Sequence, residues 1–157
     1  MLKEGLIEQL KTQQYFFLNT ISCLTEEDSG FRPNEEMYTV AQHIGHTAHS
    51  ITWFFDGVFG ENGFDMNFEN YSEKMQKFTS LDQGVKDFKE AIEKGIELLN
   101  KLPESELMKP ITGEIMTGAP RAAAVSGIAD HTAHHRGALS VYARLLGKKP
   151  TMPYGKM

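Results

Sequence analysis

His131 and His135 stand four residues apart in the stretch Ile128-Ala129-Asp130-His131-Thr132-Ala133-His134-His135-Arg136-Gly137-Ala138-Leu139, whose apolar residues recur at helical spacing. In a helix that spacing puts both imidazoles on one face, one turn apart. Neutral imidazole is the commonest protein ligand for a first-row divalent ion, so the pair reads as two metal ligands already placed by backbone hydrogen bonds. Wound at about 100° per residue, both histidines fall on the arc of Ile128, Leu139, Tyr142 and Leu146, with His134 toward its edge.

A third ligand must come from elsewhere. All six histidines of the chain lie in two short stretches, and the other one, Thr39-Val40-Ala41-Gln42-His43-Ile44-Gly45-His46-Thr47-Ala48-His49, carries three of them at intervals of three. Such segregation points to a shared metal site. Val40, Ile44, Ala48, Ile51, Phe55 and Val58 form the apolar stripe here, with His43 at its edge and His46 on a neighbouring face with Trp53. Periodicity does not choose between His43 and His46. His49 points furthest from the stripe, and it and His134 read as ordinary structural or surface histidines. Three imidazoles would leave a divalent ion at least one open position, the mark of a catalytic rather than a closed structural site. A metalloprotease is not indicated, because Thr132 stands where a His-Glu-x-x-His helix places its general base.

Four amphipathic segments position these residues. Leu2, Leu6, Leu10, Phe17, Leu18, Ile21 and Leu24 define a first helix over residues 2–24, closed by a connector containing Gly30 and Pro33. Thr39 and Gln42 form a capping-box pattern that opens the second helix. Residues 61–79 are aromatic but irregular and read as a long crossover with about one helical turn, able to wall a pocket above the metal. Ser80 caps a third helix running to about Lys101 before Pro103. Residues 107–119 are the only β-like patch, a short hairpin or an irregular loop. Pro120 suits the first position of a fourth helix that runs to about Leu146, with Gly147 as its stop. The expected fold is all-α: a four-helix bundle with a long crossover between helices 2 and 3, one domain over residues 1–157, and ligands on helices 2 and 4.

Composition narrows the function. The net charge of −5, with no concentration of lysine and arginine, argues against a nucleic-acid partner. A lone cysteine, Cys23, fits a reducing compartment, and neither a signal-type N-terminus nor a run of membrane-spanning length is seen, so a cytoplasmic protein without a membrane partner is expected.

The segment from Asp130 to Leu139, followed by Tyr142, Leu146, Gly147 and Pro150, resembles the C-terminal signature of the DinB/YfiT-like family. Tyr38-Thr39-Val40-Ala41-Gln42-His43-Ile44-Gly45-His46 resembles that family's second-helix motif, and the resemblance covers essentially the whole chain. It implies a four-helix bundle with a divalent metal held by three histidines near one end. Carried over position by position, it assigns the ligands to His46, His131 and His135, with His43 as the competitor. Ala138 departs from the pattern, since many relatives carry a polar residue there, usually glutamine. The family's DNA-damage name refers to induction, not to binding DNA. Its members with assigned roles include metal-dependent transferases and isomerases that use low-molecular-weight thiols.

The resemblance therefore implies a metal-dependent enzyme, most concretely a thiol-dependent S-transferase or a hydrolase acting on a small-molecule substrate. Its cofactors would be a zinc, nickel, iron or manganese ion and a low-molecular-weight thiol. Arg136 could recognise an anionic group such as the thiol's carboxylate, its alternative being an ion pair with a neighbouring helix. His43 or His134 could shuttle protons. The contrasting expectation is a non-catalytic metal-binding stress-response module. Aromatics of the 61–78 loop and the Met-rich tail would suit a homodimer face.

Overall fold

The computed structural model describes residues 1–155. Among them are six α-helices and no strand: α1 (Leu2–Ile21), α2 (Val40–Phe59), α3 (Phe68–Gln76), α4 (Leu81–Lys101), α5 (Glu104–Leu107) and α6 (Ala123–Leu145). No helix among them is long and apolar enough to cross a membrane.

The helix starts follow local chemistry. Thr39 Oγ1 accepts from the Gln42 amide at 3.2 Å while Gln42 Oε1 accepts from the Thr39 amide at 2.9 Å, so the first turn of α2 is satisfied from both directions. Ser80 caps α4 by accepting from the Gln83 amide at 3.1 Å. At the other end of α6, Gly147 adopts φ +73° and the Lys148 amide closes onto Ala143 O at 2.8 Å, a left-handed stop that suits glycine.

The four long helices pack in pairs, α2 against α4 and α6, and α1 against the same two. Their apolar stripes meet in one core in which Leu10, Phe17, Ile44, Ile51, Phe88, Ile92, Ile128, Leu139 and Tyr142 are almost wholly buried. Each such side chain contributes about 1.5–3 kcal/mol by leaving water. Phe17 of α1 stacks on Phe88 of α4 with centroids 4.4 Å apart. α2 and α4 approach closely because two glycines of α4 leave room. A Cβ on Gly84 would stand 2.9 Å from Ile44 Cγ2, and one on Gly95 would stand 2.3 Å from Phe55 Cε2. Gly95→Val therefore gains a few tenths of a kcal/mol in helix propensity but overpacks the interface by about 1–3 kcal/mol. A lowered urea midpoint is the expected result, and an unchanged or raised one would mean that Phe55 moves aside freely.

Three sequence expectations need correction. The segment over residues 61–79, expected as a crossover with about one helical turn, holds more helix than that: α3 is nine residues long, started by Asn67 Oδ1 accepting from the Asn70 amide at 3.1 Å. The last helix begins at Ala123 rather than at Pro120, because Pro120 is held in an isolated antiparallel bridge with Pro110. The amides of Arg121 and Ala122 are bonded to Lys109 O and Leu107 O, and so serve the bridge and not a helical turn. The β-like patch is that single bridge, turned back through Met116 (φ 56°) and Gly118 (φ 82°). The first helix stops at Ile21, three residues early, and Leu24 still reaches the core from the connector.

Candidate metal centre

α2 contributes His43 and His46, and α6 contributes His131 and His135. His46 Nε2 lies 3.1 Å from His131 Nε2, which lies 3.2 Å from His135 Nε2. One ring nitrogen from each of the three stands within 4.8 Å of the others, a group able to hold a metal ion. Two imidazoles bound at about 2.0–2.1 Å to one ion stand about 2.9–3.4 Å apart for angles between the octahedral and tetrahedral values. The separations of His131 Nε2 from the other two nitrogens, 3.1 and 3.2 Å, fall in that range. Hydrogen bonding alone serves the group poorly. His131 Nε2 faces two other ring nitrogens, yet a single ring nitrogen offers one proton or one lone pair.

The tautomer of His135 follows from an anchor three groups away. The carbonyl of Tyr38 can only accept, and the Tyr142 hydroxyl donates to it at 3.1 Å. With its proton used there, Tyr142 Oη accepts from His43 Nε2 at 3.2 Å, which puts the proton of His43 on Nε2. His43 Nδ1 is then bare and accepts from His135 Nδ1 at 2.9 Å. That leaves His135 Nε2 without a proton, its lone pair available beside His131 Nε2 at 3.2 Å. Such outer hydrogen bonds fix a ligand's ring and raise its basicity. His46 is oriented similarly from the crossover, since its Nδ1 meets the Tyr71 hydroxyl of α3. The choice between His43 and His46 thus has a geometric basis: His46 presents Nε2 to His131 and groups with His131 and His135, whereas both nitrogens of His43 are engaged behind His135.

Burial keeps the cluster neutral. It lowers His43 from the ordinary 6.5 to about 4, helped by His134. It lowers His46 to about 3, helped by His131 and the other neighbours. His131 and His135 are depressed for the same reason, burial first and neighbouring imidazoles second. A histidine that is neutral when folded and titrates near 6.5 when unfolded takes up protons only on unfolding. Stability of the metal-free protein should be full above about pH 6.5 and decline as pH falls toward the folded values. The decline should reach at most about 1.4 kcal/mol per pH unit for each such histidine, less where solvent screens it. His43→Phe should flatten this slope, as urea unfolding at a series of pH values would show. A stability independent of pH over that window would contradict a neutral cluster.

A cleft of about 210 Å³ opens beside these histidines. His46 and His131 contribute to its lining from one side, and Trp53, Phe54, Phe68 and Tyr71 supply an aromatic wall. The crossover is pinned there by Trp53 Nε1 donating to Asp65 O at 2.7 Å, and by the Trp53 and Phe64 rings 4.6 Å apart. His49, which periodicity places away from the core, also lines the cleft and stacks on Tyr71 with centroids 4.5 Å apart. Neither His49 nor Tyr71 was legible as a site residue. The only available signals were the three-residue step from His46 and the density of aromatics in the crossover.

The remaining candidates lie elsewhere. His134 is exposed, its ring 4.9 Å from that of His135. Arg136 is not brought together with the cleft. Its guanidinium lies 5.4 Å over the Phe16 ring of α1 and 5.5 Å from the Tyr154 ring, and it borders a second cavity of about 400 Å³ that shares no residue with the first. The expected alternative for Arg136, an ion pair with a neighbouring helix, is not seen among the described residues; the guanidinium packs on rings instead. Cys23 is half-buried, its thiol near Thr20 O at 3.8 Å, and lines neither cavity.

Fold and site together define a class: an all-helical protein in which side chains from two packed helices form a candidate three-histidine metal centre. The DinB superfamily model matches residues 9–139, most of the chain, and the protein belongs to that superfamily. The matched span contains His43, His46, Tyr71, His131 and His135. Compared with curated proteins, the chain matches none.

Proposed function

We propose that this protein is a metal-dependent enzyme, a transferase using a thiol nucleophile or a hydrolase using water. In this reading α1, α2, α4 and α6 form a four-helix bundle, with the crossover through α3 as the outer wall of the site. His46, His131 and His135 hold the ion through Nε2. The observation that carries the reading is the convergence of these three nitrogens beside an open cleft. Three protein ligands leave a position for substrate, and imidazole donors suit zinc, nickel, iron or manganese. When bound, such an ion supplies Lewis-acid chemistry, lowering the pKa of a thiol or water and stabilising negative charge.

The chain's own residues do the rest. His43 and Tyr142 hold His135 in the tautomer that presents Nε2, and Tyr71 orients His46. His49, lowered by burial and open to the cleft, is assigned to accept the proton released by the nucleophile. Trp53 and its aromatic neighbours exclude water from the substrate's apolar part. Any anion recognised by Arg136 would sit in the second cavity, so that residue has no part in this chemistry.

The test is a screen of protein loaded in turn with zinc, nickel, iron(II) and manganese. Thiol addition to small electrophiles and hydrolysis of activated esters and amides would be followed. Turnover that disappears on chelation and in His131→Ala supports the proposal. Stoichiometric metal binding with no turnover in any arm would overturn the enzymatic reading in favour of a non-catalytic metal-binding module.

A further inference from the structure

The cleft also carries information on what enters it; the inference rests on the metal-dependent reading above. We infer that the body of the substrate is a small uncharged aromatic group, seated against Trp53, Phe68 and Tyr71 with its reacting heteroatom toward the histidines, and that a thiol bearing carboxylates is not accommodated there.

Shape is the first argument. The ring of Trp53 lies 5.2 Å from Phe54 and 6.4 Å from Phe68, and Tyr71 is backed by His49. These rings are fixed by the Trp53–Asp65 hydrogen bond and by the start of α3, so the wall is formed before a ligand arrives. Phe68 remains 55% exposed at the rim, a large apolar surface in water beside the candidate site. A flat ring inserted between these faces gains offset-stacked or edge-to-face contacts of a kind that aliphatic chains do not make.

Size is the second. A dry cavity of roughly 150 Å³ holds benzene, and sites for drug-sized ligands start at roughly 300 Å³. At about 210 Å³ this cleft covers one ring with a short substituent, and the rest of a larger ligand would lie beyond its rim.

Charge is the third. No lysine or arginine lines the cleft, and its one carboxylate is Asp65. Lys74 influences His49 from one turn further along α3 but is not part of the lining. A ligand carboxylate seated against the aromatic wall, out of reach of an ion held by the histidines, would lose its water and meet no cationic side chain.

Trp53 is the only tryptophan of the chain, so its fluorescence reports on this wall alone. The full-length protein would be titrated, metal-free and zinc-loaded, with benzyl alcohol, benzyl mercaptan, 4-(mercaptomethyl)benzoate and glutathione. Saturable quenching by the two uncharged ligands is expected. The carboxylated analogue and glutathione should bind at least about tenfold more weakly. Phe68→Ser, at an exposed position that the fold tolerates, should weaken benzyl alcohol binding roughly three- to tenfold without changing metal content. Equal affinity for the carboxylated analogue or glutathione, or an unaffected Phe68→Ser variant, would overturn the inference. The two failures are separable. Saturable benzyl alcohol binding by a protein that takes up no metal sinks the metal-dependent reading and spares the aromatic site. Metal uptake with no benzyl alcohol binding does the reverse.

Discussion

His131→Ala is expected to take the purified protein from one divalent ion per chain to essentially none while its helical content is kept. His131 Nε2 is the central nitrogen of the three, 3.1 Å from that of His46 and 3.2 Å from that of His135. Its removal leaves two imidazoles from different helices and no third donor among the groups brought together there. The fold should survive because His131 is only partly buried at the cleft, while the core on the same helix is carried by Ile128, Leu139 and Tyr142. Elemental analysis beside circular dichroism reads both quantities. Full metal retention in a folded His131→Ala protein would place the ion elsewhere.

The second large effect is expected at a residue that touches no metal in this account. His43→Ala should leave the stoichiometry at one but weaken affinity about 10–100-fold, the usual consequence of deleting the group that orients a histidine ligand. Without His43, the Nδ1 proton of His135 has no protein partner, and the ring is free to turn or change tautomer. Tyr142→Phe acts one link further along the same chain. It removes the hydroxyl that fixes the His43 proton and should move affinity in the same direction by a smaller amount. Competition against a chelator of known affinity measures all three proteins. Complete loss of metal in His43→Ala, with retention in His46→Ala, would exchange the roles assigned to the two residues.

The sequence was informative where chemistry is local. The Thr39–Gln42 capping box, the Ser80 cap, the Gly147 stop and the apolar stripes of the long helices depend on neighbours within a turn or two, and each is found where the pattern puts it. His131 and His135 belong to the same category, because one helix sets their spacing.

What could not be read depends on a second element. How His43 and His46 each meet the pair on α6 depends on the rotation of α2 against α6, which two histidines three residues apart leave open. His49 lies off the apolar stripe and still lines the cleft, because the crossover folds Tyr71 over it. Pro120 matches a helix start by its dihedral preference alone, and the pairing of residues 107–111 with 118–122 overrides it. Arg136 is next to a candidate ligand in sequence, yet one step along a helix turns a side chain by about 100°. It points instead toward Phe16 and the C-terminal tail.

The most direct test of the central claim is X-ray absorption on the zinc-loaded protein. Three imidazole nitrogens at about 2.0–2.1 Å, completed by a light oxygen or nitrogen donor, are predicted. A coordination sphere containing sulfur, or only a single imidazole, would contradict the assignment of His46, His131 and His135 as the ligands.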